Sequence, residues 1–459
     1  MARLSGVLRV DARRARLETA KGLHTLIPYP REATRSRVAI TKREMEAMGE
    51  KLFGYLAGQE VVIAGDLVKE AVFNARVAKS RLSIADVRLS PESKDKFARD
   101  IRRFFKKDPS AVARKLNDAG IRTVSALYHR IRDDDRQEVP AFAEYLEIER
   151  GQIRDFLRAL ESDAQNRSLV AKSPRFPVSR GVSLEVLKAV KGVPVKTKAP
   201  SAPPPFPKAA RTPTLPSKID LTARVTRVKD QGKRSTCVAH AAAACLEAAI
   251  IIKRGHASGR RLDLSEQYLY WACKHLDGSP KTEGTFIEYA VEALVNGIPS
   301  KGFSSGVSHE RDWRYQKLPV TGNESQDPPP TKVKRAFAEG RVVCATSRTE
   351  LKHDSIVALK TALAAGDCVG LSVYTYHFWT DDFTWREGII SLPLNIKPDG
   401  AHAICLVGYR DTDAHGDGYF IFKNSWDVVW GYGRPDPGFG SLPYRYVIKE
   451  AIEAFTVHG

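Results

Sequence analysis

Seven prolines crowd one stretch of the chain: Pro194, Pro200, Pro203, Pro204, Pro205, Pro207 and Pro213. Each removes a backbone donor and fixes φ, so this run cannot lie inside a helix or a central strand. With lysine and alanine between the prolines, it reads as an extended, semi-rigid spacer with no core of its own. A chain of 459 residues has room for about three domains. The spacer, taken as residues 166–215, therefore has folded units on both sides. Within it, Val182 to Val190 has the spacing of a short amphipathic helix, either transient or docked on a neighbour.

Charge divides at the same place. The net charge is +19, and residues 1–215 carry +17 of it against +2 for residues 216–459. A basic first half suits an acidic partner, either an acidic protein or a nucleic acid. A solvated basic surface accounts for it equally well.

Residues 1–88 read as a small β-rich domain. Short strands at 7–10, 15–18 and 24–28 precede a helix at 42–56 and two firmer strands at 60–64 and 71–77. The order is OB-like. A nucleic-acid face would need stacking aromatics, and the strands offer only Phe73. Residues 89–165 turn helical: 93–105, then a hairpin over 110–128 broken at Gly120 and restarted by Thr123, then 152–160. Gly120 can take the positive φ that ends a helix, and Thr123 can cap the next. The hairpin has a single glycine at its turn, which favours a structural or protein-docking role over DNA binding.

Residues 216–459 place helices first (237–252, 265–274, 285–296) and strands after (368–376, 388–392, 402–409, 419–423). That order implies an α+β unit of two packed lobes. Asp230-Gln-Gly-Lys-Arg-Ser-Thr-Cys237 brings a thiol to the start of the first helix, where unpaired N–H groups favour a thiolate. His402 opens a clear strand, and Asn424-Ser-Trp426 ends the next. A nucleophile, a base, an orienter for the base and an oxyanion donor make a covalent acyl-transfer site. Cys237, His402, Asn424 and Gln231 are the residue types for those four tasks. Each also has a plain structural reading: core cysteine, strand histidine, turn asparagine and loop glutamine. Lys233 and Arg234 read as solvated, His240 as structural, and His377 as a wall or core residue.

In order along the chain, Gln231…Cys237, Leu264-Ser-Glu-Gln267, Glu283-Gly284-Thr285, His402 and Asn424-Ser-Trp426…Trp430-Gly431 resemble the motifs of the papain-like (C1) cysteine peptidases. The resemblance covers about residues 216–459. It implies a two-lobed fold, a helical lobe plus a β-barrel lobe, with the site in the cleft between them. It implies Cys237 as nucleophile, His402 as general acid/base, Asn424 as its orienter and Gln231 as oxyanion donor. It also implies that Trp426 shields the Asn–His bond, and that Gly284, Thr285 and Val238 border the substrate. Three departures stand out. The cysteine that usually precedes the nucleophile is absent, Val238 replaces an aromatic, and Asp427 stands where glycine usually follows the tryptophan.

The six cysteines all fall in the second half, with no C-x-x-C pair, so neither a disulfide framework nor a zinc site is expected. The N-terminus lacks the apolar run of a signal peptide, and no window approaches a membrane span. The expectation is a cytoplasmic thiol endopeptidase acting on protein or peptide without cofactor or metal, with N-terminal modules that recruit or regulate. The rival is a nucleic-acid- or protein-binding protein whose peptidase lobe is a scaffold. A third arrangement, residues 1–215 as an inhibitory pro-region, lacks a papain-type pro-region helix pattern.

Overall fold

The computed structural model describes residues 2–11, 14–19, 22–27, 60–68 and 71–80. From residue 97 onward it describes all but 98, 107, 164–165, 167–168, 171, 173–178, 180, 187–214, 255–261, 413–416 and 435. Five strands near the N-terminus, β1 (Ala2–Asp11), β2 (Arg14–Thr19), β3 (Gly22–Ile27), β4 (Glu60–Val68) and β5 (Ala71–Ser80), close into a barrel in the order β1-β2-β3-β5-β4. All neighbours are antiparallel except β3 and β5. The helix expected at 42–56 lies outside the described residues.

A helical module follows, with α1 (Pro109–Asp118), α2 (Val124–Asp133), α3 (Asp135–Leu146) and α4 (Arg150–Ser162). Gly120 sits at φ +78° and Thr123 accepts from Ala126 N at 3.0 Å. The turn and cap therefore form where the sequence placed them. Helix α3 was not anticipated, because an acidic run and the internal Pro140 argue against a helix. Asp134 caps it, and burial of Val139, Phe142 and Leu146 against the module core holds it.

The C-terminal unit begins with β6 (Lys218–Asp220) and the helices α5 (Cys237–Arg254), α6 (Glu266–Leu276) and α7 (Ile287–Asn296). Beyond α8 (Thr331–Ala338), β7 (Ser347–Glu350) and α9 (Ile356–Ala365), the chain forms β8 (Val369–Thr375), α10 (Asp382–Glu387), β9 (Gly400–Asp411), β10 (Gly418–Lys423) and β11 (Phe439–Pro443). It ends with α11 (Tyr444–Glu450) and β12 (Ala451–His458). The antiparallel sheet runs β11-β10-β9-β8-β12-β7, and β6 pairs with β9. The unit is α+β, as expected.

Helix α5 positions the site. Its alanines are strong helix formers and leave little side chain in the way. Ala239, Ala243, Leu246 and Ala248 are fully buried, so the helix lies against β9, β8 and β12. The expected strand at 388–392 reduces to one bridge, Ile389 to Ser441. Gly388 at φ +62° ends α10 there, and the chain turns away before a ladder can form.

Candidate active site

Cys237 is the first residue of α5 and is buried. The loop before it is held at several points. Gln231 N donates to Ser425 O at 2.8 Å, and Ser425 Oγ donates to Gln231 Oε1 at 2.6 Å. Gln231 Nε2 donates to Arg234 O at 2.9 Å. Tyr315 OH donates to Gln231 O at 2.8 Å and shares a 2.5 Å hydrogen bond with Thr236 Oγ1.

His402 lies on β9, and its Nε2 faces Asn424 Oδ1 at 2.8 Å. An amide oxygen only accepts, so Nε2 carries the proton in the neutral ring. Nδ1 is then left as the basic nitrogen, buried with no hydrogen-bond partner among the described residues. Ser425 N also donates to Asn424 Oδ1 at 2.8 Å, which fixes the amide. Trp426, fully buried, stacks on the His402 ring at 4.6 Å and 26°. Three sequence-predicted residues, His402, Asn424 and Trp426, thus form one unit, and Ser425 ties Gln231 to it.

Burial pushes the Cys237 thiol up to about 11, against backbone hydrogen bonds from Ala403, Val238 and its own N–H that favour the thiolate. Burial likewise pulls His402 down to about 4, opposed by its bond to Asn424. Both groups are therefore neutral near neutral pH. The thiolate expected from the helix start alone is outweighed by desolvation.

A segment of the expected spacer packs beside these two groups. Ser179 N donates to Gly232 O at 2.8 Å, and Val182 and Ala401 exchange N–H···O bonds of 2.8 and 2.9 Å. Ser235 Oγ lies 2.9 Å from Gly181 O, and Gln231 Nε2 lies 3.4 Å from Ser179 O. Gly181 has φ +109°, and a Cβ there would stand 2.0 Å from Ala401 O and 3.2 Å from His402 Cα. The Val182 side chain fills the space left by Gly284, where a Cβ would meet Val182 Cγ2 at 1.7 Å. Val182 packs with Phe286 and Ala401 in a small cluster of its own. These described residues of the spacer are thus packed against the peptidase unit, where the sequence suggested a segment without a core.

The remaining sequence candidates are placed as follows. Thr285 is buried beside Gly284, and Val238 turns into the core behind Cys237. Lys233 is exposed, but Arg234 is fully buried. Its guanidinium donates to Gln267 Oε1 at 2.6 Å, Gln316 O at 3.0 Å and Glu324 O at 2.6 Å. Arg234 is therefore a clamp on the 316–324 loop, not a solvated charge. Its acceptors come from distant segments, which local sequence cannot reveal. His240 is structural, with Nδ1 at 3.0 Å from Thr236 O. His377 is buried with its Nε2 3.2 Å from Glu138 Oε1. All six cysteines are free, and only Cys344 is exposed. Ser425, Ser235 and Trp379 contribute to the site and were not singled out. Only Ser425 had a signal, its place between Asn424 and Trp426.

Residues 215–434 match the family model described as papain family cysteine protease. An uncharacterized peptidase C1-like protein of Acanthamoeba polyphaga mimivirus is 25% identical over 231 residues, 49% of this chain and 66% of that protein. Procathepsin L of Rattus norvegicus is 25% identical over 221 residues, 47% of this chain and 58% of that protein. Among solved structures, xylellain, a cysteine protease from Xylella fastidiosa, aligns with a TM-score of 0.45 at 22% identity, covering 58% of this chain and 98% of its own. The match to each of these two curated relatives spans less than two thirds of that relative's length. Residues 215–434 are thus papain-like (C1) cysteine peptidase in sequence.

Proposed function

We propose that this chain is a thiol endopeptidase that cleaves protein or peptide substrates in the cleft beside which Ser179, Gly181 and Val182 are packed. The observation that carries this reading is the His402 Nε2–Asn424 Oδ1 bond of 2.8 Å, which leaves Nδ1 as the base on a ring locked under Trp426. When the cleft opens to a substrate, Nδ1 takes the proton of the Cys237 thiol. The thiolate attacks the scissile carbonyl, and the Cys237 N–H with the Gln231 amide stabilises the oxyanion. The imidazolium then protonates the leaving amine. Water, deprotonated by the same ring, frees the acyl group from sulfur. These steps need no cofactor. The absence of a cysteine pair suits a reducing, cytoplasmic setting.

The seated residues Ser179, Gly181 and Val182, a strap on the peptidase unit, support a regulatory reading of the spacer: the strap holds the peptidase closed until it is displaced. In the closed chain, alkylation of Cys237 by iodoacetamide should rise about tenfold per pH unit between about pH 7 and pH 10, because a thiol raised toward 11 ionises late. Mass-spectrometric mapping of the adduct checks this, and a plateau by about pH 8 would contradict it. The five-stranded barrel at the N-terminus supports an OB-like module, whose partner is sought by salt-dependent retention of the full chain on nucleic acid. The test of the main reading is mapping of new N-termini in a protein digest. Cuts made by the chain opened with Val182→Asp and absent when Cys237→Ala is added support it, and identical cuts from both refute it.

A further inference from the structure

Between β8 and β9 the chain makes a tight turn, His377–Thr380, followed by α10. The inner side of this segment forms the wall of the candidate site. Trp379 is buried and meets the His402 ring edge-on at 6.0 Å and Trp426 at 6.4 Å. Trp385 lies parallel to Trp426 at 6.4 Å and 12°. The His402 ring is thus enclosed by the face of Trp426 and the edge of Trp379.

The outer side of the same segment is gripped by the helical module. The Arg130 guanidinium on α2 lies over the Phe378 ring at 3.7 Å. Its Nη1 donates to Ser391 Oγ at 2.6 Å and to Leu392 O at 3.2 Å. Its Nε pairs with Glu138 of α3, whose Oε1 also lies 3.2 Å from His377 Nε2. Arg130 and Glu138 are 1% and 0% exposed. Among the described residues, their Nη2 and Oε2 atoms have no hydrogen-bond partner. A buried ion pair with unsatisfied atoms is a poor device for stability, because apolar residues of similar volume usually serve at least as well. Its geometry does something else: it fixes Phe378, and Trp379 is the next residue.

We propose that the helical module is a built-in part of the peptidase, and that Arg130, with Glu138, is a positioning residue that sets Trp379 against the His402 imidazole. This rests on the peptidase reading above, and it gives the module an intramolecular task in place of recruitment. Removing Arg130 alone would leave Glu138 buried and uncompensated, so the informative change is the double variant Arg130→Met/Glu138→Met. A milder companion is Phe378→Leu, which removes the stack and leaves the ion pair.

Both are made in the full-length chain carrying Val182→Asp, so that the cleft is open. The readouts are thermal midpoint, kcat and KM for peptide hydrolysis, and the rate of Cys237 alkylation near neutral pH. The double variant should stay folded, with kcat reduced about tenfold or more, KM within about twofold and alkylation slowed in step, because small displacements of a catalytic ring are expensive in rate. Phe378→Leu should move the same readouts less far. A folded double variant with the parent's kcat and alkylation rate would overturn the proposal. So would a loss confined to KM, or a fall in kcat that only tracks loss of folded protein in both variants. If the Val182→Asp chain itself hydrolyses nothing, the peptidase reading fails, and the alkylation rates still decide whether Arg130 positions His402.

Discussion

Replacing Cys237 by alanine should reduce peptide hydrolysis by at least about 10⁴-fold, because loss of a nucleophile leaves only binding and the oxyanion donors. The substitution removes a sulfur at a small, buried position where α5 begins. It makes a cavity of only one atom, so folding should survive. Hydrolysis of a fluorogenic peptide library by parent and variant, both opened at the strap, is the measurement. The labelling of position 237 by a thiol-directed epoxide should vanish with it. Turnover within about tenfold of the parent would remove Cys237 from the mechanism.

Val182→Asp should act in the opposite direction. Burying a valine contributes about 1.5–3 kcal/mol, and an aspartate placed in the apolar niche of Gly284, Phe286 and Ala401 would be desolvated with no cation among the residues of that cluster. The strap should leave the cleft, and hydrolysis should rise by about 10- to 100-fold or more, because each factor of ten takes about 1.4 kcal/mol. Initial rates at several substrate concentrations check it. A substitution that leaves kcat and KM unchanged would mean that the strap does not restrain the enzyme.

These two sites differ in how visible they are in the sequence. Cys237, His402 and Asn424 each sit at the end of a regular element whose pattern is readable: an alanine-rich helix, an apolar strand and an aromatic strand. Their roles are what the resemblance to papain-like peptidases implies for those positions. Gln231, in the loop six residues before Cys237, was readable from its place in the same motif, though the Ser425 hydroxyl that holds it was not. The strap left only a faint trace, the apolar spacing from Val182 onward that allowed docking on a neighbour without saying where. Its hold depends on one bridge to Ala401, on the missing side chain of Gly181 and on the space above Gly284, none of which makes a periodic pattern. Charge was misleading at Arg234, which reads as a solvated cation yet is buried because its acceptors arrive from segments far along the chain. Helix α3 escaped notice because Pro140 and three consecutive aspartates outweigh its apolar face in a local reading, while packing decides the matter in the fold. Tertiary contacts, not local propensity, supplied each of these.

The central claim is that Cys237 carries the acyl group during peptide cleavage. Its most direct test is the intact mass of the strap-opened chain, Val182→Asp, quenched in acid soon after mixing with an activated peptide ester. The account predicts a single acyl adduct, mapped to Cys237, that is lost on treatment with hydroxylamine as a thioester is and is absent in the Cys237→Ala background. Rapid hydrolysis of the ester with no adduct on Cys237, or an adduct that persists in the alanine variant, would contradict it.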